Sequence, residues 1–511
     1  MDNLLASSQP SSFAVWAFGC LLLWYIATSL LAWHRLRHIP GPFLARFSYF
    51  WTFRTTRSGK QYEMYRDIND KYGSSLVRIG PSDLVTNDPE VIRMMSSAKG
   101  VYRRGDANSG NRFNPHHLTL LNMLEPKRHD QFKTKVAPAY SGRDTPGLES
   151  NVDEQLKSLI SLIRRKHIAA SGPCEKLPLG RAAGLFALDV ISKVSLGKEF
   201  GCLREDSDVH EFYSTLRKHV PFMSMTIDVP WLRKIFYSDL YLTWMGPQET
   251  DSIGIGKLMG MTNDVVRKRF APGAEPKKDM LGSFIHYGLT QRECEGESLF
   301  MFIAGSDTIA VVIRHTMLHI LSSPRVYQKL KDEIRSAIRE GKVGDDIIKN
   351  AESKNMPYLQ AVISEGLRIR PVVPGLLFKE VPAGGDTING QYIPGGTSIG
   401  IALASILRSK KVFGEDVEVF RPERFLEATP EQLAEMQRST ELQFGAGRWM
   451  CAGKPLAKME LNKVFFELFR HFDFQLVNPQ HPMQSTSYLL WVDLGLEVRV
   501  TESDIMQETS Q

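Results

Sequence analysis

One cysteine stands in a glycine-rich loop that leads into an apolar helix pattern. The stretch FGAGRWMCAG runs from Phe444 to Gly453. The residues after Gly453 repeat apolar side chains at helical spacing, and Pro455 suits the first turn of a helix. Cys451 therefore comes just ahead of a helix N-terminus, where free N–H groups and the helix dipole favour an anion and lower the pKa of a thiol. This position suits a thiolate ligand.

Other uses of a glycine-rich loop fit this stretch less well. A phosphate-binding loop needs a Ser or Thr after its Gly-Lys pair, but Pro455 follows Gly453 and Lys454, and the preceding Gly447 is one residue too far away. A dinucleotide fingerprint meets Met450 where its third glycine belongs. A zinc site needs about four ligands, and the neighbouring sequence offers no suitable set. A buried structural cysteine remains the alternative.

A second group of chemically capable residues lies in the run LFMFIAGSDTIAVVI, residues 299–313. The run is apolar on every side, which predicts a buried helix. Asp307 in its middle is unusual, because an unpaired buried carboxylate costs several kcal/mol. Gly305 is expected to open the helix wall beside it, and Thr308 supplies a hydroxyl. The alternative is a structural kink, in which Ser or Thr bonds the carbonyl four residues earlier; we favour a functional site.

A third group combines carboxylate and guanidinium side chains. Glu365 and Arg368 in ISEGLRIRP are three residues apart on a predicted helix, and Arg424 follows downstream in FRPERF. An isolated pair at this spacing is usually a solvated surface pair worth a few tenths of a kcal/mol. Its occurrence together with the other two groups makes a simple surface pair a less favoured interpretation.

Together these motifs resemble the cytochrome P-450 family of haem-thiolate monooxygenases. The shared residues are, in chain order, Ala304-Gly305-x-Asp307-Thr308, Glu365-x-x-Arg368, Pro422-Glu423-Arg424-Phe425 and Phe444-x-x-Gly447-x-x-x-Cys451-x-Gly453. The finer pattern is similar to the fungal pisatin-demethylase-like branch. The resemblance implies a mainly α fold with small β-sheets and a haem b whose iron is held by the Cys451 thiolate. Phe444, Gly447 and Gly453 would lie beside the haem, while Glu365, Arg368 and Arg424 would be structural.

The resemblance also implies residues that bind the haem propionates, and here the sequence departs from the family. Trp449 stands where many relatives have Arg or His, which leaves Arg448 as the candidate in the loop. His129 and Lys133 match the spacing of a Trp or His followed four residues later by Arg. Lysine can neutralise a propionate, although not in a bidentate way. Lys379 is a third candidate by position alone.

The implied reaction is the NADPH- and O₂-dependent oxygenation of an apolar small molecule in fungal secondary metabolism, such as a terpenoid, polyketide or alkaloid. Asp307 and Thr308 would be the catalytic residues that deliver protons. Electrons would come from NADPH–cytochrome P-450 reductase, with cytochrome b5 as a further candidate partner. A basic surface for this acidic flavoprotein is expected at Lys127, Arg128, Lys133, Lys135, Lys454 and Lys458.

Two rival functions use the same cofactor. A haem-thiolate isomerase or dehydratase would rearrange its substrate without activating O₂, and Asp307-Thr308 speaks against it. A non-enzymatic haem sensor would need the cysteine loop but not that acid–alcohol pair.

The N-terminal sequence predicts how the catalytic domain is held. Residues 13–33 carry no charge and are long enough to cross a bilayer. A cleaved signal peptide fits less well, because residues 1–12 contain Asp2 but no Lys or Arg. The basic flank after the span places that side in the cytosol. The predicted organisation is a lumenal tail (1–12), a transmembrane anchor (13–33), a basic proline-rich hinge (34–45), a cytosolic haem-thiolate domain (46–502) and a C-terminal tail (503–511), with a single pass through the endoplasmic reticulum membrane.

Composition narrows the function further. The 511 residues include 63 basic and 57 acidic side chains, too even a balance to suggest a nucleic-acid partner. The five cysteines are widely spaced and form no CxxC pair, which indicates a reducing compartment. Helical periodicity at residues 149–167 and 322–340 and a hairpin around Asn389-Gly390 predict a helical domain with local sheets.

Overall fold

The computed structural model describes residues 9–168 and 175–505. Cys174 and the outer parts of both predicted tails, residues 1–8 and 506–511, lie outside the described residues. Helices account for most of the described chain and strands are short, so the predicted mainly α fold with small sheets is confirmed.

The helices have the following bounds. In the first half they are α1 (Gln9–Arg35), α2 (Phe50–Arg57), α3 (Gln61–Tyr72), α4 (Pro89–Ser96), α5 (Pro126–Tyr140), α6 (Leu148–His167), α7 (Leu179–Leu196), α8 (Cys202–Glu205), α9 (Phe212–Asp228), α10 (Pro230–Phe236), α11 (Asp239–Met245) and α12 (Gly254–Phe270). In the second half they are α13 (Met280–His286), α14 (Gln291–Leu321), α15 (Pro324–Arg339), α16 (Asn350–Ser353), α17 (Pro357–Ile369), α18 (Leu403–Ile406), α19 (Lys410–Phe413), α20 (Arg424–Glu427), α21 (Pro430–Thr440) and α22 (Lys454–His471). Short 3₁₀ turns cover Leu44–Arg46, Asp106–Gly110, Glu441–Phe444 and Gly447–Trp449.

The strands form one five-stranded sheet and three two-stranded pairs among the described residues. Their bounds are β1 (Leu76–Arg78), β2 (Asp83–Thr86), β3 (Arg103–Arg104), β4 (Phe378–Glu380), β5 (Asp386–Ile388), β6 (Gln391–Ile393), β7 (Ser398–Ile401), β8 (Phe472–Leu476), β9 (Gln484–Ser487), β10 (Trp491–Leu494) and β11 (Val498–Glu502). The larger sheet has the order β1-β2-β7-β4-β3, in which only β2 and β7 run parallel. The pairs are β5–β6, β8–β11 and β9–β10.

Local sequence signals account for several of these elements. The predicted helices at residues 149–167 and 322–340 are α6 and α15, and Ser323 immediately precedes α15. The predicted hairpin is β5–β6, whose turn places Asn389 and Gly390 at φ of 49° and 76°. Both angles are in the left-handed region that Asn and Gly tolerate best.

Helix α14 is the central element of the core. It packs against α7, α12, α17 and α22, and a capping box between Thr290 and Glu293 fixes its start. Gly305 on this helix faces α7: a Cβ there would lie 2.7 Å from the Ile191 side chain. The expectation that Gly305 opens the helix wall was therefore wrong, since this glycine lets α7 approach α14 closely.

The apolar N-terminal stretch forms helix α1. Residues Phe13–Arg35 meet the length and composition criteria for a membrane span, and most of their side chains are exposed. Ser29 is buried and donates to the Phe47 carbonyl at 3.1 Å. α14 meets the same criteria but is mostly buried, as a core helix is. After α1, the hinge packs on the domain through buried Leu36 and Ile39. The Arg78 N–H of β1 donates to the Pro40 carbonyl at 2.7 Å, which joins the hinge to the larger sheet.

Candidate functional site

The cysteine loop lies between the 3₁₀ turn Glu441–Phe444 and helix α22, and it contains the second short 3₁₀ turn, Gly447–Trp449. The Cys451 N–H donates to the Phe444 carbonyl at 2.7 Å and closes the loop. Gly447 has φ of 49°, and a Cβ there would lie 2.1 Å from the Ser96 carbonyl oxygen. Only glycine therefore lets the loop lie against the end of α4. Gly453 precedes α22 as its N-cap, and a Cβ there would be 3.8 Å from the Cys451 sulfur.

The surroundings of the Cys451 thiol have opposing effects on its pKa. Burial raises the pKa of Cys451 above its usual value, while the N–H groups of Gly453 and Lys454 and the Lys133 ammonium act in the other direction. The side chain is nevertheless accessible to solvent. Desolvation together with accessibility is expected of a thiol that lines an internal space. A metal cation bound to such a sulfur would deprotonate it, and the same N–H groups would then stabilise the thiolate.

Two of the predicted propionate ligands bind the protein itself. The Lys133 ammonium donates to the carbonyls of Arg448 and Met450, each at 2.8 Å. The Arg448 guanidinium pairs with Asp130 at 2.9 Å and donates to the Gly100 carbonyl at 3.2 Å. These contacts join the cysteine loop to α5 and to the segment after α4. The propionate contacts of Lys133 and Arg448 stay predictions.

A different pair of cations is buried on Trp449. Arg104 of β3 and Lys379 of β4 are directly paired in antiparallel register, so their side chains share one face of the sheet. The Arg104 guanidinium carbon lies 4.6 Å from the centroid of the Trp449 ring, and the Lys379 ammonium nitrogen lies 4.2 Å from it. Both residues are buried. Burial lowers the pKa of Arg104 to about 9, and burial together with Arg104 lowers the pKa of Lys379 well below its usual range.

The cations of this cluster outnumber its anions: among the described residues only the buried Glu297, whose pKa burial raises to about 7, acts on Arg104 through its charge. Neither Arg104 nor Lys379 forms an ion pair with a described carboxylate, and the buried Trp449 Nε1–H has no acceptor among the described residues. His129 completes the cluster: its ring lies 4.4 Å from that of Trp449, and its Nδ1 is 3.1 Å from Asp130. Burial, with Arg104 and Lys133 nearby, lowers the pKa of His129 to about 4, so it is neutral at physiological pH.

The donor set fits a cofactor with two carboxylates. Buried cations without a paired anion are costly, so a further anionic group would balance the charges of Arg104 and Lys379. The two propionates of haem have this chemistry. Sequence reasoning named Lys379 by position alone and missed Arg104 and the Trp449 N–H. No motif marks Arg104, and Trp449 was interpreted only as a departure from the family.

The acid–guanidinium motif is a buried structural lock, as predicted. The Glu365 carboxylate accepts from Arg368 at 2.7 Å and from Arg424 at 3.1 Å, and all three side chains are buried. Arg368 also donates to the carbonyls of Leu407 and Val417, at 3.1 and 2.8 Å. The lock joins α17 to the long connection that leads to the cysteine loop. The alternative of a solvated surface pair is excluded by this burial.

The acid–alcohol pair lies where α14 is buried. The Thr308 hydroxyl donates to the Ala304 carbonyl at 2.8 Å, the geometry of the structural alternative, and the Ser306 hydroxyl bonds Phe302 in the same way. The Asp307 carboxyl is buried, and its oxygen is 3.7 Å from the Arg314 guanidinium. Burial raises the pKa of Asp307 to about 6 although Arg314 opposes the shift. Asp307 can therefore both hold and release a proton near neutral pH.

The sequence was compared with protein families and with characterised proteins, and it is similar to one family over most of its length. The sequence model of the cytochrome P-450 family matches residues 40–499. A cytochrome P-450 monooxygenase aba1 from Botryotinia fuckeliana is 48% identical over 472 residues, which cover 92% of each chain. A cytochrome P-450 monooxygenase abl1 from Leptosphaeria maculans is 44% identical over 98% of this chain and 90% of its own. Pisatin demethylase from Fusarium vanettenii is 29% identical over 89% of this chain and 86% of its own.

Proposed function

Since this chain belongs to the cytochrome P-450 family, whose members hold haem iron through a cysteine thiolate, we propose that it is a membrane-anchored, NADPH-dependent monooxygenase of secondary metabolism. The high identity to the fungal monooxygenases aba1 and abl1 supports this assignment. The observation that carries it is the arrangement around one loop: Cys451 lies two residues after Trp449, and the Trp449 ring contacts the buried cations Arg104 and Lys379.

Cys451 is the proposed iron ligand, and Arg104, Lys379 and Trp449 are the proposed propionate partners. When bound, the haem supplies O₂ binding and its reductive activation. Lys133 keeps the loop in place through the Arg448 and Met450 carbonyls, while the N–H groups of α22 stabilise negative charge on sulfur.

Asp307 and Thr308 are the proposed catalytic residues of proton delivery: Asp307 is the proton donor, and Thr308 positions the water molecule that passes the proton on. A carboxyl group whose pKa is raised to about 6 can give up a proton and regain it at cytosolic pH. The Thr308 hydroxyl is held by the Ala304 carbonyl, so its oxygen is fixed as an acceptor and can orient a water molecule. Positioned proton transfer of this kind typically contributes about 100-fold to 10,000-fold in rate.

Electron delivery is proposed from an NADPH-dependent reductase that docks on the face of the cysteine loop. Lys454 and Lys458 both pair with Glu441, and Lys135 donates to the Gly288 carbonyl at 3.1 Å. Lys127 and Arg128 are exposed and form no ion pair with the described residues. These two cations are therefore the best placed for an acidic partner.

Membrane attachment is proposed through α1 and an apolar surface on α10 and α11. Trp231, Leu240 and Trp244 on these two helices are 54%, 74% and 80% exposed. Large aromatic side chains with such exposure are typical of contacts with a partner or a lipid interface. The catalytic domain would then lie on the cytosolic side, as the basic flank of α1 indicates.

An isomerase or dehydratase that does not activate O₂ is the second candidate, and the buried, titratable Asp307 disfavours it. In the deciding experiment, the purified haem-loaded protein is incubated with reductase, NADPH and ¹⁸O₂, and fungal metabolite extracts supply the candidate substrates. A monooxygenase consumes NADPH when substrate is present and places one labelled oxygen atom in the product. Product formation without NADPH or label would contradict the proposal. Substrates can be found first by the spin-state change that binding causes in the haem spectrum.

A further inference from the structure

A cavity lies behind Asp307, between α7, α9, α14 and the β10 strand with the residues that follow it. Its volume is about 300 Å³. The walls near the surface include the exposed side chains of Arg181, Arg217 and Glu497, and the innermost wall includes the buried Asp307 and Arg314. The cavity thus connects solvent with the side of Asp307 that faces away from the α14 backbone.

Arg314 is shared by two carboxylates at the inner end of this cavity. It is seven residues after Asp307, two turns along the same face of α14. Its guanidinium is 3.7 Å from Asp307 and 3.3 Å from Asp493 of β10. The Asp493 side chain is fully buried and also accepts from His315 Nε2 at 2.9 Å. Because Asp493 already balances the charge of Arg314, Asp307 is not needed as its counter-ion.

The electrostatics of the cluster agree with this geometry. Burial alone would raise the pKa of Asp493, but His315 and Arg314 outweigh it and hold the pKa below its usual range. Burial lowers the pKa of His315 to about 4, so His315 donates as a neutral imidazole. The charged or titratable groups that act on Asp307 are Arg314 on its own helix, Asp493 on β10, and Arg217 and Tyr213 on α9.

We propose that this cavity is the solvent end of the proton path to Asp307, and that Asp493 controls Asp307 through the Arg314 that both carboxylates share. In each cycle Asp307 gives one proton toward Thr308 and regains one from cavity water, which is reprotonated from bulk solvent. The relay moves protons only and consumes no oxidant or reductant. Arg314 and Asp493 are positioning residues here, since they act through Asp307. The biological role of this path rests on the proposed monooxygenase function, whereas the two infrared tests below do not depend on that function.

The first test follows the protonation of Asp307 in the haem-loaded protein by infrared difference spectroscopy of carboxylic acid groups. The Asp307 band is identified by its loss in Asp307→Asn. In Asp493→Asn, Arg314 has Asp307 as its remaining carboxylate, so the titration of Asp307 should move about 1 to 3 pH units lower. In Arg314→Gln it should move higher. The control Asp345→Asn changes an exposed loop residue outside the cavity and should leave the titration unchanged.

The two opposite shifts separate electrostatic coupling from general damage. A thiolate-type ferrous–CO spectrum in each variant shows that the haem site is intact. Unchanged titration in Asp493→Asn, or shifts of the same sign in both variants, would overturn the role of Asp493.

The second test concerns the route. Val492 lines the cavity and is half-buried, so Val492→Phe should narrow it. After rapid mixing of this variant with D₂O, the Asp307 carboxyl proton should exchange at least about 10-fold more slowly than in the wild type. This is a smaller effect than the rate contribution of about 100-fold or more that positioned proton transfer typically makes. Val419→Phe, at an exposed position outside the cavity, is the matched control. Equal exchange rates in the two variants would exclude the cavity as the route.

A third measurement connects the path to turnover. During NADPH oxidation with reductase, Asp493→Asn should release a larger share of O₂ as hydrogen peroxide than the wild type. A wild type that does not oxidise NADPH would contradict the proposed function, while the two infrared tests would still decide the proton path.

Discussion

Arg104 and Lys379 lie directly opposite each other in the β3–β4 pair, and both cations contact the Trp449 ring, at 4.6 and 4.2 Å from its centroid. Like charges in directly opposed positions destabilise a sheet, and burial increases that cost. Among the described residues the buried Glu297 acts on Arg104, but no carboxylate pairs with Lys379, so further negative charge would stabilise the arrangement. This makes the pair the strongest indication of where an acidic cofactor binds.

Lys379→Met should weaken haem retention. A lost hydrogen bond to a charged group is worth about 1.5–3 kcal/mol, so haem should leave at least about 10-fold faster. The rate can be measured by haem transfer to excess apomyoglobin. Lys354→Met, at an exposed site, is the control. If Arg448→Gln loses haem faster than Lys379→Met, then Arg448 is the main propionate partner and our assignment is wrong.

Cys451→Ala should abolish the red-shifted ferrous–CO absorption that is specific to a thiolate-ligated haem. Cys202→Ala and Cys294→Ala are suitable controls, because both cysteines are buried and burial raises the pKa of each thiol to about 12. They should keep the band. Retention of the red-shifted band in Cys451→Ala would show that another group ligates the iron.

Thr308→Ala should keep the thiolate spectrum and substrate binding but divert NADPH electrons into hydrogen peroxide, because the hydroxyl that orients the proton donor is lost. Ser306→Ala removes a neighbouring hydroxyl with the same backbone bond and should have little effect on peroxide release. The measurement is product and peroxide formed per NADPH. Equal coupling in Thr308→Ala and wild type would mean that Thr308 is structural or that the substrate supplies the hydroxyl itself.

Asp307→Asn should raise the free energy of unfolding at pH 7.5. The folded-state pKa of Asp307 is about 6 and its usual value is 3.8, so the folded state holds the proton more tightly. Stability therefore falls as pH rises from about 4 to 6, and the cost remains in full above that window. Removing the carboxylate should recover up to about 3 kcal/mol at pH 7.5 and almost nothing at pH 4. Denaturant unfolding at both pH values checks this, and an equal effect at both would contradict it.

Deletion of residues 1–38 should release the domain from microsomes only in part. The exposed apolar surface on α10 and α11 is expected to keep some protein bound, so adding Trp231→Ser and Trp244→Ser should complete the release. The matched control changes Val101 and Val419, which are exposed elsewhere, to Ser. In intact sealed microsomes, added protease should digest the domain beyond Pro42. Protection of the domain would exclude the cytosolic orientation.

The sequence determined the features that depend on neighbouring residues. Helical periodicity and Pro455 defined α22, and the apolar run with its central carboxylate defined α14. The spacing around Cys451 was enough to indicate a thiolate site and, with the other motifs, the family. These features are local because hydrogen bonds and side-chain faces within a helix repeat over a few residues.

Only the tertiary structure decided which charges meet. Arg104 and Lys379 are adjacent through the register of two short strands far apart in the chain, and no local pattern marks either residue. In the same way, Asp493 reaches the pair formed by Asp307 and Arg314 because β10 packs on α14. Burial then gives these contacts their effect, since a low-dielectric interior strengthens each charge interaction and makes an unbalanced charge costly. Sequence alone contains neither the register nor the burial.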